Sequence, residues 1–572
     1  MRRAALLLLL LGPLFFLASC RKVPDHAKYI PKNALSVVGI NAGSITKKIA
    51  WPALLGKDVT SSFDSFVMRQ GYNVRAEDLR ESGIDMGSTM YVCFTASGSP
   101  MANNYKPETF AILPVENSGK WTAFLQKAFP RMQPITTNSG KAAQLDSNLV
   151  ILWTDQVAFL TAPNRTAGSY VMMSDSTEEW QAGTPDLPAT VARLEALPKL
   201  SKEEALLKDD RFSLLAKSNR DLIAWVNYEQ MMNGMGGMAS AMSLMSSKLY
   251  KNMVLSTTVD FKEGEAEAEM WYYMSDELKD VGRKMAGSAP PKELIARLPK
   301  EGLDGFGAFS FSTKSFKVML EKMGMLGLIN MGLAGQGLSI DDLVEAIPGN
   351  MVFAVNNYKN MGISPLDSQY ARYPASVPKM DFTFAMKLGK KEKVAKLMQF
   401  LLARKLVEQV SPNVYISYGN PEGGFLVMDD KYAVAARTRQ QAQDFLAGTA
   451  PRELPTDAQA AVGTGPLAMF VDFQQIFKGI DTAQMQQPRD RQMWLEAQRV
   501  FSYLILNDGS FSGDHFIYKA RLHLLSQQEN ALLQLLRFSN RLTQIDRDYP
   551  YVTLQQPAYY PDTTLPAPNP VF

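Results

Sequence analysis

The chain has 572 residues, of which 20% are charged and 46% hydrophobic, and its net charge is +3. This is too apolar for a disordered polymer, and length alone predicts three to four domains at roughly 150 residues each. The small charge, carried by dispersed basic residues, excludes an electrostatic nucleic-acid surface, and three His with two Cys leave little material for a catalytic metal centre or a disulfide framework.

The N-terminus comes first in chain order. Arg2-Arg3, the apolar run Leu6–Leu11, Leu14-Phe15-Phe16 and Leu17-Ala18-Ser19-Cys20 have the order of a bacterial lipoprotein export signal. The apolar stretch is too short to span a bilayer, which takes about 20 residues. Acylation of Cys20 with palmitate-type chains is therefore expected, and two or more chains make a stable anchor. Cys93 is then the one remaining thiol, placed in the strand-like run Met90–Thr95 and read as core.

Two stretches of similar order follow. Ile30-Pro31-Lys32 leads into an alternating strand, as does Leu298-Pro299-Lys300. Thr109–Val115 with a helix over 120–129 corresponds to Asp381–Lys387 with a helix over 391–402. The strand pairs 149–160 and 424–435 each turn at an Asp. Shorter pieces come next: strands 221–228 and 467–473, then hairpins predicted to turn at Lys262-Glu263-Gly264 and at Asn507-Asp508-Gly509. The fold class expected is α+β, a duplicated long-short-long-short series of mainly antiparallel sheet with packed helices. Its boundaries are a signal peptide over 1–19, a lipidated tether over 20–29, long units over 30–183 and 296–449, and short units over 199–286 and 465–545. Residues 185–198, 287–299 and 450–465 read as linkers. A Pro/Tyr-rich tail over 546–572 closes the chain.

The chain carries few residues in the spacings that chemistry requires. His515 and His523 share one strand-like run, roughly 27 Å apart if extended, so they cannot share a metal, and His26 falls in the tether. Ser44–Lys47 and Ser376–Lys379 have Ser-x-x-Lys spacing without its companion motifs. The pairs Asp209-Asp210, Asp341-Asp342 and Asp429-Asp430 suit helix caps and turns. No catalytic residue, cofactor or metal site is therefore assigned. One apolar stripe stands out: Met231, Met235, Met238, Met242 and Met245 recur at helical spacing, either as core or as an adaptable groove.

The Cys20 signal, the Ile30-Pro31-Lys32-Asn33-Ala34 opening and the repeated strand-helix-hairpin units resemble an uncharacterised cell-envelope lipoprotein family of Bacteroidota, catalogued as a domain of unknown function. The resemblance implies an envelope location and brings no catalytic residues. Arg21-Lys22 after the Cys departs from the acidic pattern associated with surface display in that group, which favours an outer-membrane anchor facing the periplasm. The function expected is a non-enzymatic binding or assembly component, joined to the membrane through Cys20 and to another envelope component, with no nucleic acid. A carboxylate-dependent hydrolase of envelope glycan or peptide and a carrier of an apolar ligand are the alternatives.

Overall fold

The computed structural model describes residues 23–550 except 70–71, 98–105, 166–168, 173–177, 182–183, 235–249, 287–291, 300, 361–377, 418–419, 449–453, 455, 464 and 486. The export signal, Cys20 and residues 551–572 lie outside the described residues.

The fold is α+β, dominated by one 20-stranded sheet. Its first ten strands are β1 (Ser36–Asn41), β2 (Thr89–Ser97), β3 (Lys106–Pro114), β4 (Ile135–Thr136), β5 (Lys141–Asp146), β6 (Leu149–Trp153), β7 (Val157–Thr161), β8 (Leu222–Asn227), β9 (Val254–Phe261) and β10 (Glu265–Tyr273). The second ten are β11 (Leu303–Ser310), β12 (Asn350–Asn360), β13 (Pro378–Lys387), β14 (Val407–Ser411), β15 (Val414–Ser417), β16 (Asn420–Met428), β17 (Tyr432–Ala436), β18 (Leu467–Asp472), β19 (Phe501–Ser512) and β20 (His515–Leu524). All pairings in this sheet are antiparallel. The first ten lie in the order β4-β5-β6-β7-β3-β2-β1-β8-β9-β10. The second ten lie in the order β14-β15-β16-β17-β13-β12-β11-β18-β19-β20, the same order counted from β11.

The two runs meet edge to edge where β10 pairs with β20. Along this seam Glu265 faces His523, Glu267 faces Arg521 and Glu269 faces Lys519. Opposite charges across an antiparallel pair are favourable, so the register matches in sign at Glu267/Arg521 and Glu269/Lys519, although Glu267 and Lys519 make their ion pairs with Lys262 at 2.6 Å and Asp508 at 3.2 Å.

Helices cover both faces. They include α1 (Ala42–Lys48), α2 (Lys57–Arg69), α3 (Ser118–Ala128), α4 (Leu187–Ala196), α5 (Asp210–Ala216), α6 (Tyr228–Gly234), α7 (Lys279–Met285), α8 (Thr313–Lys322), α9 (Leu326–Ala334), α10 (Ile340–Ala346), α11 (Lys391–Ala403), α12 (Arg439–Ala447) and α13 (Ala531–Asp548). The largest core joins Tyr91, Phe159, Phe212 and Trp225 with Cys93, whose thiol is fully buried and pushed up by that burial. A second core gathers Phe306, Val434, Phe445 and Phe470.

Several expectations are corrected. The 185–198 linker is largely α4: Asp186 caps it by accepting from Ala189 N at 3.0 Å, and Pro188 sits in the first turn, where its missing N–H costs nothing. Val191 and Leu194 of α4 join the largest core. In the 287–299 linker Lys292–Ala296 is helical with Leu294 and Ile295 buried, and in the 450–465 linker Thr456–Gln459 is helical. The tether expected over 20–29 ends early, because Asp25–Tyr29 forms a 3₁₀ turn that buries His26. His26 hydrogen-bonds the Thr89 carbonyl, and burial holds its pKa below the ordinary value. At the other end α13 runs to Asp548, so helix replaces the first residues of the expected tail. Asn507-Asp508-Gly509 is no turn: it makes a bulge inside β19, with Gly509 at φ 74°, and the hairpin turns instead near Gly513.

Candidate functional site

Two hollows flank the seam, on opposite faces of β10. The first is polar, about 440 Å³, and lined by Ser44 and Lys48 of α1 with Arg220, Asp260, Glu269 and Trp271. At its base Asp221, fully buried, accepts from Ser44 Oγ at 2.7 Å, Lys48 Nζ at 2.8 Å and Phe261 N at 2.7 Å. Lys48 also pairs with Asp260, which Arg220 meets at 3.1 Å. Burial works against the Lys48 ammonium, yet the hydrogen bonds to Asp221 and Asp260 outweigh it and leave its pKa raised. Both oxygens of Asp221 are engaged, so the cluster ties α1 to β8 and β9. Ser44 of the Ser-x-x-Lys match is spent on this tie.

The second hollow is apolar, about 460 Å³. Its floor is the cross-seam pair Tyr272↔Phe516 with Met274 and Tyr518. Met285 of α7, Met319 of α8 and Met323 at its C-terminal cap supply walls, and Tyr250 and Met253 close one end. No charged side chain is among the described residues that line it. Burial pushes the Tyr272 hydroxyl up to about 12 and that of Tyr518 upward, so both rings stay neutral at physiological pH.

Why a hollow exists here follows from the other run of strands. The corresponding cross-seam pair is Ala266↔Leu522, and it is covered: Leu532 and Leu535 of α13 pack with Phe261, Leu522 and Leu524. The helix that follows β20 has 18 residues, while α7, which follows β10, has seven. The shorter helix covers its end of the seam less fully, and Met285, Met319 and Met323 pack over buried Phe516 and Met274 around the hollow. Aromatic and thioether side chains occupy the floor and walls there, a lining that adapts to irregular apolar partners.

None of the sequence-selected residues that the structure describes lines the groove. Met231 is half-buried in α6, whose Tyr228 ring meets Tyr272 edge-on at 5.8 Å. Met235, Met238, Met242 and Met245 lie outside the described residues. The acidic pairs do structural work: Asp209 accepts from Arg211 N, Asp342 forms a capping box with Ser339, and Asp429 accepts from Lys431 N and Tyr432 N. Among the described residues no group of three His, Cys, Asp or Glu could hold a metal. The groove itself was missed because its methionines come from four separate segments. The spacing Met319–Met323 was the one local signal.

No protein-family model matches the chain, and no curated protein matches it. Among solved structures, crystal form I of TP0453 is 7% identical with a TM-score of 0.23, covering 45% of this chain and 81% of that one. Crystal form III of TP0453 is 8% identical with a TM-score of 0.23, covering 46% and 88%.

Proposed function

We propose that this protein is a lipid-anchored, non-enzymatic component of the bacterial cell envelope that binds an apolar ligand in the groove beneath α7 and α8. The observation that carries the reading is the uncharged, Met- and aromatic-lined hollow of about 460 Å³ at the less fully covered end of the seam. An apolar chain seated there gains about 0.8 kcal/mol per methylene removed from water. Acylation at Cys20, an outer-membrane location facing the periplasm and membership of the Bacteroidota lipoprotein group belong to the same proposal. They rest on the order of residues 2–20 and on the resemblance stated above. We also propose an internal duplication of long and short units, supported by the identical pairing order of the two ten-strand runs.

Native mass spectrometry of protein extracted in mild detergent tests the groove. Bound apolar mass is expected in the wild type. Met319→Trp, which fills the hollow from α8, is expected to lose it by roughly tenfold or more while the thermal transition stays in place. Equal ligand load in the folded variant would refute the groove.

A further inference from the structure

Helix α9 is the most apolar exposed element of the described chain. Its sequence, Leu326-Gly-Leu-Ile-Asn-Met-Gly-Leu-Ala334, buries no residue fully, and Leu328 and Met331 are 66% and 70% exposed. Its inner side, Leu326, Ile329 and Leu333, rests against Leu320, Ile340 and Val344. The outer side holds Leu328 and Met331 beside Gly327, Gly332 and Gly335, around which the structure leaves open space. From Met323 to Ser339 there is no charged residue. The polar side chain within the helix is turned away, since Asn330 Oδ1 accepts from Ile340 N at 3.0 Å.

We propose that α9 inserts its outer face into the headgroup–acyl boundary of a lipid bilayer. Three observations favour a bilayer over a protein partner. Hot spots of protein interfaces are rich in Trp, Tyr and Arg, and this face offers none of them. Its lack of any free side-chain hydrogen-bonding group suits hydrocarbon, where an unmet donor or acceptor is costly. The adjoining α8 carries exposed Lys314 and Lys322, the latter 3.8 Å from Glu277 and next to exposed Glu321, and such basic side chains attract anionic headgroups. The neighbourhood is continuous with the groove: α8 and its C-terminal cap, which lead into α9, contribute Met319 and Met323 to the groove wall. Resting on the groove reading above, the ligand is then the acyl chain of a membrane lipid, taken up beside the inserted helix.

The test uses the full chain with Met331→Cys labelled by an environment-sensitive nitrobenzoxadiazole dye. Cys93 is fully buried and does not compete, and the parent with Met331 intact gives the labelling background. A second label at Glu408→Cys, an exposed position on the edge strand β14, which is not among the elements that contact α9, is the control. Protein is mixed with phosphatidylethanolamine–phosphatidylglycerol vesicles carrying nitroxide-labelled acyl chains. Quenching and a blue shift at 331 but not at 408, removed by Leu328→Asp, are expected. Unquenched dye at 331, or crosslinking of 331 to 331 between two copies, overturns the insertion. The ligand load read by mass spectrometry in the same samples separates the two readings: a loaded groove with unquenched dye refutes only the bilayer contact, and an empty groove with quenched dye refutes only the ligand.

Discussion

Asp342 shows how one side chain can hold an element's end and its neighbour at once. It closes a capping box with Ser339 at the start of α10 and receives Lys393 and Lys396 of α11 at 2.7 and 2.6 Å. Those two lysine contacts, with help from the Ser339 amide, hold its carboxyl far below the usual carboxylate range. A depressed carboxylate pKa gives stability that is present above the unfolded value near 4 and is lost as pH falls toward the folded value. Asp342→Asn is therefore expected to lower the urea midpoint at pH 7, with the gap to wild type narrowing below about pH 4. A gap that stays constant from pH 7 to pH 3 would show that the charge contributes nothing.

Among elements, α13 sets the contrast with the open groove, and its hold on α2 depends on Asn540. That amide donates to the Asp58 carbonyl at 2.8 Å and accepts from Ser62 N at 2.8 Å while almost fully buried. Asn540→Ala leaves these backbone groups unmet, at a cost of about 1–3 kcal/mol. Faster amide exchange across 57–69, with the sheet core unaffected, is the expected readout. Elements were legible from the chain wherever a local period or turn marked them. The 149–160 strand pair and the Gly264 hairpin stand where alternation and a glycine at φ 66° place them. Helix α4 was misread because Pro185 and Pro188 look like linker residues, although the second suits a first helical turn. Asn507-Asp508-Gly509 failed for a related reason: a glycine with positive φ serves a bulge as well as a turn. The groove had no such local mark, since its floor joins residues on strands far apart in sequence.

Across the whole molecule, the seam between β10 and β20 decides whether the two runs behave as one body. Its setting of Glu267 and Glu269 opposite Arg521 and Lys519 is a two-position charge code across the join, while Glu265 meets His523, whose pKa burial holds below the ordinary value. Glu267→Lys sets a cation opposite Arg521 and is expected to cost about 0.5–1 kcal/mol in chemical denaturation, with Arg521→Glu in the same chain recovering most of it. Failure of the second change to recover any stability would mean the pairing does not act through charge. The same code bears on biosynthesis. The partner strand of β10 is made about 250 residues later, so during synthesis the first run must wait with a bare sheet edge, the feature that invites aggregation. Three glutamates along that edge repel a second nascent copy carrying the same edge, and the late-arriving strand covers it and sets Arg521 and Lys519 opposite two of them, so the hazard of premature association is removed by the step that completes the molecule.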